Sequence, residues 1–458
     1  MKIHIPLPLL AIACLAVPLS AQATQLDDAE RASVIEGIAR EMAAGYVFPK
    51  VAEECSAHLR TELKAGKYDS MKSTGQFAQA LTSAVQAISK DLHIRVRFEP
   101  NQERVERDDP RLARQQQLER MRASNFGFNQ VEIMNGNVGY LDLRSFSDLQ
   151  YARKTASSAM DFLSNADAII VDLRLNGGGS PRMVQFLCSY FFEERTHLNS
   201  LYFRPTDTTE EFWTLEEIPG KRLPNIPLYV LTSNRTFSAA EEFSYNLSTR
   251  QRATLVGDTT GGGANPGGMV SVGEGFRMFI PSGRAINPIT GTNWEGVGVV
   301  PNIPVSSGKA LEVALKDARQ AARDYRQFKA EELAFAWEEV DELIGSAEAC
   351  FEEGNAETGS TQMQAALELG QDYELLTEGS INSMGQVYRQ ADSPAAALAV
   401  FLYNVDAYPQ SANVWDSLGE GYVGVSNKQL AIASFEKSLA LDPSNQHASD
   451  MIEELEQD

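Results

Sequence analysis

The chain has 458 residues, of which 43% are hydrophobic and 22% are charged, and its formal net charge is −22 at neutral pH. A chain of this length holds roughly two to four domains and can bury substantial cores. The strong negative charge argues against nucleic acid and anionic membrane surfaces as partners.

The first residues are typical of a secretory signal peptide. Lys2 precedes an apolar run over 5–19, and Ser20-Ala21-Gln22-Ala23 supplies a small-residue cleavage site. We therefore predict a signal peptide over 1–23 and an exported protein, periplasmic or secreted. A lipoprotein anchored at Cys14 is the alternative. No later stretch approaches the roughly 20 apolar residues of a membrane span, so none is predicted.

The cysteines predict neither a disulfide framework nor a metal site. Cys55, Cys188 and Cys350 remain after signal removal, widely spaced and without a Cys/His ligand pattern. We expect buried free thiols, with one bridged pair in an oxidising compartment as the alternative, and no metal or organic cofactor.

Residues 24–100 are predicted to form an N-terminal helical subdomain. Apolar residues recur at helical spacing over 29–42, 51–63 and 77–88. The residues that follow His93 alternate as in a strand, so His93 lies where a helix gives way to a strand. A structural role for this histidine is the alternative to a catalytic one.

Residues 101–130 are polar and are predicted to be a connection or an exposed helix, and 131–310 have an α/β pattern. A continuous apolar run over 168–174 indicates a buried strand. Asn176-Gly177-Gly178-Gly179 follows, and a helix is expected from Pro181. The glycine spacing fits neither a dinucleotide nor a phosphate-loop motif. We interpret the turn as presenting backbone N–H groups to a substrate oxygen.

Ser238 is the strongest candidate nucleophile. A strand-like segment over 227–231 precedes it and a helical pattern begins at Ala240. The hydroxyl at such a turn projects outward, and the next amide can stabilise an oxyanion. Ser238 and Glu241 also form a capping-box pattern, which requires no catalysis.

Glu295 is a candidate acid. It stands between Trp294 and Gly296, just before a β-branched strand. A carboxylate in that position could orient a histidine, or it could be an ordinary exposed loop acid.

Residues 311–458 are predicted to be entirely helical, with a 34-residue repeat. Gly, Tyr, Ala, Phe and Pro recur at this period, which is the tetratricopeptide signature. The matched pairs are Gly385 and Gly419, Tyr388 and Tyr422, Ala397 and Ala431, Phe401 and Phe435, and Pro409 and Pro443. Residues 331–370 could supply a degenerate earlier pair. The array would bind a peptide or protein partner, or serve only in packing or dimerisation.

Taken together, residues 30–310 resemble the tail-specific (C-terminal-processing) serine peptidase superfamily. The branch most similar to this chain holds the interphotoreceptor retinoid-binding protein repeats and the tricorn protease core. The resemblance implies an α/β core with a crotonase-like ββα superhelix. The motifs that carry it are Tyr46-Val47-Phe48-Pro49, Asp91-Leu92-His93, Gly139-Tyr140-Leu141, the 171–179 and 232–241 segments, and Glu295 to Pro301.

The resemblance implies a role for each candidate. Ser238 would attack the substrate carbonyl, and His93 would act as general base and then protonate the leaving amine. Glu295 would assist His93. The N–H groups of Ala239 and of Gly177 or Gly178 would form the oxyanion hole, following the serine–histidine–acid logic in another chain order.

The chain departs from the superfamily pattern in three ways, which limit the mechanism and the domains that the resemblance implies. No lysine lies between Ser238 and Lys309, which argues against the Ser-Lys mechanism of many tail-specific peptidases. Leu92 occupies the position where tricorn-type sites have a serine, so any coupling of Glu295 to His93 is direct or through water. The usual peptide-binding domain is missing.

We therefore predict an exported serine peptidase that hydrolyses peptides or unfolded protein substrates. The alternative is an inert module, similar to the retinoid-binding relatives, that binds an apolar ligand or a protein partner. A scaffold whose repeats alone are functional is the third possibility.

Overall fold

The structure is a computed structural model that describes residues 26–100 and 109–457. The predicted signal peptide and Cys14 lie outside this part of the chain. Within it, no helix combines the length and the apolar character that a membrane span requires. The chain divides into two compact units, one up to Tyr325 and one from Arg326.

The N-terminal region is helical, as predicted. Its elements are α1 (Asp28–Gly45), α2 (Pro49–Lys64) and α3 (Thr74–Ser89), followed by β1 (Val96–Phe98). A capping box of Asp27 and Glu30 begins α1, and Pro49 fits the first position of α2, where its missing N–H costs nothing. Lys90 ends α3 in the left-handed conformation (φ 58°).

An exposed helix, α4 (Pro110–Ala123), lies within the predicted connection and buries none of its residues. The α/β region follows. Its first elements are β2 (Phe128–Met134), β3 (Val138–Leu143), α5 (Leu149–Leu163), β4 (Ala168–Asp172), α6 (Pro181–Cys188), β5 (His197–Phe203) and β6 (Thr208–Trp213). The remainder are β7 (Leu228–Thr232), α7 (Ala239–Thr249), β8 (Thr254–Gly257), β9 (Gly267–Gly273), β10 (Phe276–Pro281), β11 (Gly283–Ile286), β12 (Ile303–Pro304) and α8 (Ser307–Glu352).

The central sheet has six strands in the order β12-β8-β7-β4-β3-β2. Only the β2–β3 pair at its edge is antiparallel, and the other neighbours are parallel. Strand β4 lies beside β7 with Asp172 opposite Leu231, so the loops that leave these two strands begin at the same edge of the sheet.

Both faces of this sheet are covered, which explains why its central strands β4, β7 and β8 are mainly apolar. Alternate residues such as Ile169 and Val171 face α5, α6 and α7. Their neighbours, such as Ile170, pack with four buried alanines of α8, which are Ala310, Ala314, Ala318 and Ala322. The small alanine side chains let α8 approach the strands closely.

Two three-stranded antiparallel sheets flank the centre, in the orders β1-β10-β9 and β11-β5-β6. Val96 of β1 pairs with Met278 of β10, and buried residues of β9 and β10 pack in one core with α1, α2 and α3. The N-terminal helices are therefore joined to strands that come more than 160 residues later in the chain. The predicted domain bounds at 100 and 130 stay predictions.

The described residues of the second unit form helices, which confirms the predicted helical C-terminal region. Beyond α8 its helices are α9 (Ala356–Asp372), α10 (Glu378–Gln390), α11 (Pro394–Ala407), α12 (Ala412–Gly424), α13 (Lys428–Leu441) and α14 (Gln446–Gln457). Gly385 faces the ring of Phe401, and Gly419 faces that of Phe435 in the same way. The 34-residue sequence period thus corresponds to a repeated packing contact.

Candidate active site

The candidate site lies at the carboxyl edge of the central sheet, where neighbouring parallel strands commonly present ligand-binding loops. The glycine turn follows β4 and the Ser238 turn follows β7. The Phe237 N–H donates to the Asn176 carbonyl (3.1 Å), and the Ser233 hydroxyl donates to the Arg174 carbonyl (2.6 Å). These bonds hold the two loops against each other.

Ser238 has a strained backbone, with φ 57° and ψ −124°. A residue that only caps a helix takes an extended conformation, so capping does not account for this geometry. Strain of this kind persists where the surroundings enforce it and is common at functional sites. A sharp strand-to-helix turn that exposes a serine hydroxyl is the geometry of a serine nucleophile.

Hydrogen bonds to the Glu241 side chain stabilise the Ser238 turn. The buried Glu241 carboxylate accepts from the Ser238 N–H (2.9 Å), the Thr260 hydroxyl (2.5 Å) and the N–H groups of Gly262 (2.6 Å) and Gly263 (2.8 Å). Burial raises the pKa of Glu241, and these hydrogen bonds oppose that effect. The capping pair expected from the sequence is present, but Glu241 also ties the Ser238 turn to the 260–263 loop, which the sequence did not indicate.

Gly178 packs directly against the nucleophile turn. A Cβ atom on Gly178 would lie 2.7 Å from the Ser238 Cβ, and its φ of +103° also disfavours a side chain. The Gly178 N–H already donates to the Asn176 side-chain oxygen (2.8 Å). Gly177, by contrast, faces open space and lines the cavity beside Ala239.

His93 reaches the same cavity from the junction between α3 and β1. Its ring lies between Phe237 (centroids 4.5 Å apart) and Phe279 (5.5 Å). Neither ring nitrogen has a hydrogen-bond partner among the described residues. Burial, and to a lesser extent the charge of Arg95, lowers the pKa of His93 to about 4. The imidazole is therefore neutral near pH 7 and able to accept a proton.

Two carboxyl groups lie behind His93. Asp91 Oδ1 is 3.8 Å from His93 Nδ1, and one ligand atom each from Asp91, His93 and Glu295 lie within 4.8 Å of one another. Glu295 is thus close to His93, but it makes no direct hydrogen bond to the ring, since both ring nitrogens lack partners among the described residues. Such a trio could also ligate a divalent cation.

The environments of the two acids differ. Asp91 accepts from the His93 N–H (3.0 Å) and the Asn265 amide (2.9 Å), and burial raises its pKa against these bonds. Glu295 accepts from the Ala264 N–H (2.6 Å). Burial and then the nearby Asp91 raise the pKa of Glu295 to about 8. Asp91 thus has more hydrogen-bond donors around its carboxyl group than Glu295, and the sequence alone did not single it out.

The cavity that contains Ser238 and His93 has a volume of about 790 Å³. Exposed Arg95, Arg97 and Arg235 line it, together with the apolar side chains of Leu92 and Met269. Buried residues line it too, and they are Leu201, Ala239, Glu242, Ala264 and Trp294. The volume and the mixed lining suit a small ligand or several residues of a peptide.

A strained serine in a strand-to-helix turn and a neutral histidine line the same cavity, and serine hydrolases use a serine and a histidine as nucleophile and base. Comparison with known proteins identifies the family. Residues 137–305 match peptidase family S41, and residues 26–125 match the N-terminal domain described for this family in eukaryotic IRBP. Residues 137–305 therefore belong to peptidase family S41, and the family's N-terminal domain precedes them.

Curated relatives of this family include two bacterial proteins. A carboxy-terminal-processing protease of Bartonella bacilliformis is 25% identical over 177 residues, which are 38% of this chain and 39% of the relative. A carboxyl-terminal-processing protease of Synechocystis sp. is 34% identical over 128 residues, 28% of each chain. The chain thus spans about two-fifths or less of the length of these relatives.

Among solved structures, the photosystem II D1 C-terminal processing protease is similar over 64% of this chain and 96% of that one. The TM-score is 0.41 and the sequence identity is 15%.

Proposed function

We propose that this protein is a serine peptidase in which Ser238 is the nucleophile and His93 is the general base. The observation that carries the proposal is the strained Ser238 turn, which opens into the same cavity as the neutral ring of His93. A merely structural serine has no need of this backbone conformation, and a merely structural histidine would use its ring nitrogens.

In the proposed reaction, the Ser238 hydroxyl attacks the substrate carbonyl while His93 takes its proton. The N–H groups of Ala239 and Gly177 stabilise the oxyanion, since the Gly178 N–H is engaged by Asn176. His93 then protonates the leaving amine, and water attacks the acyl-enzyme by the reverse sequence of proton transfers.

We assign the acid role to the pair of Asp91 and Glu295 rather than to Glu295 alone. Asp91 lies 3.8 Å from the His93 ring, so its charge would stabilise the imidazolium that forms when Ser238 is deprotonated. With a pKa of about 8, Glu295 is protonated at neutral pH. Its proposed role is to complete the buried polar cluster of Asp91, His93 and Glu295.

We further infer that the substrates are peptides or unfolded proteins, that the core has the crotonase-like superhelix and that the C-terminal helices are tetratricopeptide repeats. The repeat assignment is supported by the matching Gly385–Phe401 and Gly419–Phe435 contacts. These repeats would bind a peptide or protein partner. Export is proposed from the signal sequence over 1–23.

The test is labelling of the purified full-length protein with a fluorophosphonate probe. The wild type should be labelled, and Ser238→Ala and His93→Ala should lose labelling at least a thousandfold. Ser244→Ala is a matched control, because Ser244 lies on the same helix and donates to the Ala240 carbonyl away from the turn. Unlabelled but folded wild-type protein would contradict the proposal.

The second candidate function is binding of an apolar ligand without catalysis. It is favoured by the apolar cavity walls formed by Leu92, Phe237, Phe279 and Trp294. If the wild type resists the probe, a fluorescent fatty acid or retinol titration of the same cavity would test this function directly.

A further inference from the structure

The buried part of the cavity contains a carboxyl group that the proposed reaction does not use. Glu242 lies four residues after Ser238, so the two residues share one side of the turn and helix, about 6 Å apart along its axis. Glu242 is only 4% exposed and is the one acidic residue among the described residues that line the cavity.

The polar surroundings of Glu242 are incomplete. The side chain of Asn199, on β5, lies close enough to favour the ionised carboxyl. Yet both amide atoms of Asn199 are buried and complete no hydrogen bond within the described residues. Buried polar groups are nearly always satisfied, so the Glu242 and Asn199 pair has bonding capacity left for a ligand.

The other buried side chains that line the cavity are apolar. Ala239, Leu201, Ala264 and Trp294 are each less than 6% exposed and line the cavity with Glu242. The three lining arginines, in contrast, are exposed. A cavity whose buried lining side chains are apolar except for one carboxyl fits a side chain with an aliphatic stem and a cationic head.

We propose that Glu242 is a specificity-determining residue that binds the lysine or arginine side chain of the substrate residue next to the scissile bond. This inference rests on the proposed peptidase function. A carboxylate at the base of the pocket beside the nucleophile selects cationic side chains in serine peptidases of unrelated fold. Pairing with a buried cation would also satisfy the charge of Glu242.

The first measurement compares two peptidyl diphenyl phosphonates that differ only in carrying lysine or norleucine next to the reactive phosphorus. The wild type should react with the lysine probe at least tenfold faster. Glu242→Gln should lose that ratio, and Glu217→Gln, the same change at an exposed position, should keep it. Equal rates with the two probes in wild type would overturn the proposal.

A binding measurement separates failure of this inference from failure of the peptidase function. N-acetyl-lysine amide and N-acetyl-norleucine amide are titrated by NMR into full-length Ser238→Ala and into Ser238→Ala/Glu242→Gln. Tighter binding of the lysine compound, lost in the double variant, supports the inference even if fluorophosphonate labels nothing. Equal or undetectable binding of the two compounds contradicts it, whatever the labelling result.

The pH dependence gives a readout in wild-type protein if the Glu242→Gln variant fails to fold. Burial raises the pKa of Glu242 to about 7, so the lysine preference should be strong at pH 8 and collapse by pH 5.5. The other titratable groups near Glu242 do not change charge over this pH range. His93 has a pKa of about 4, and the Cys188 thiol stays neutral because burial raises its pKa. Arg250 stays charged, as arginine does throughout this range. A preference that is constant over this range would count against Glu242.

Discussion

At the scale of single residues, the site depends on burial as much as on residue type. His93 lies between two phenylalanine rings with both nitrogens unbonded, so desolvation rather than a hydrogen bond sets its proton affinity. The same desolvation raises the pKa of the two nearby acids, Asp91 and Glu295. A neutral imidazole is the form of His93 that the proposed proton abstraction from Ser238 requires.

The lowered pKa of His93 predicts an unusual acid limit. At pH 5 an unperturbed histidine would be only roughly 3% neutral, whereas a pKa of about 4 leaves His93 mostly neutral. The fluorophosphonate labelling rate at pH 5 should therefore stay above half of its value at pH 7. Circular dichroism at both pH values serves as the control for folding. A rate that halves near pH 6.5 would show that the histidine is not desolvated in this way.

The same scale shows what the sequence could and could not reveal. Ser238 and His93 could be proposed as candidate site residues from the sequence, because each lies at a junction between a helix and a strand. Asp91 and Glu241 act through tertiary contacts, such as the bond from Asn265, which is 174 residues from Asp91. A local sequence pattern contains no information about partners so far away in the chain. The sequence therefore indicated only a helix-capping role for Glu241.

At the scale of elements, two turns and one loop are built around each other. The glycine turn after β4 packs on the Ser238 turn after β7, and Glu241 joins the latter to the 260–263 loop. Hydrophobic periodicity predicted the flanking strands and helices, because each buries one face or both. The loop bonding was not predictable, since glycine-rich segments carry no periodic signal.

Gly178→Ala is expected to damage the nucleophile turn. The added Cβ would meet the Ser238 Cβ at 2.7 Å with φ at +103°, which costs about 1–2 kcal/mol of stability or more. Labelling should fall at least tenfold because the Ser238 turn must move. Urea denaturation and labelling rates provide the measurements.

Gly268→Ala is the matched control for this change, because a Cβ at Gly268 meets nothing within 4 Å. It should leave both quantities near wild type. If Gly178→Ala behaves like this control, the close packing of the two turns does not hold the nucleophile in place.

At the scale of the whole molecule, the first part of α8, up to Tyr325, belongs to the first of the two compact units. Ala310, Ala314, Ala318 and Ala322 cover one face of the central sheet, and Tyr325 packs against the core of its other face. The sequence predicted a helical region over 311–458, but it did not show that the first of its helices completes the α/β core.

A truncation series tests this assignment. A chain of residues 24–325 should fold and label with fluorophosphonate at a rate close to that of the full-length protein. A chain ending at Ser306 should aggregate or remain unlabelled, because it exposes the apolar face that includes Val138, Ile170 and Leu231. Size-exclusion chromatography and labelling measure both outcomes. A well-folded, labelled chain without α8 would contradict this view of the core.

The pairing of β1 with β10 has a consequence for the order in which the protein acquires activity. His93 emerges early from the ribosome, but Phe279, which flanks its ring, and Glu295 emerge much later. Until β9 and β10 have joined the N-terminal helices, a chain that already contains Ser238 lacks a positioned base. Under the proposed mechanism, a nascent or still unfolded copy would therefore lack hydrolytic activity until the tertiary structure is complete.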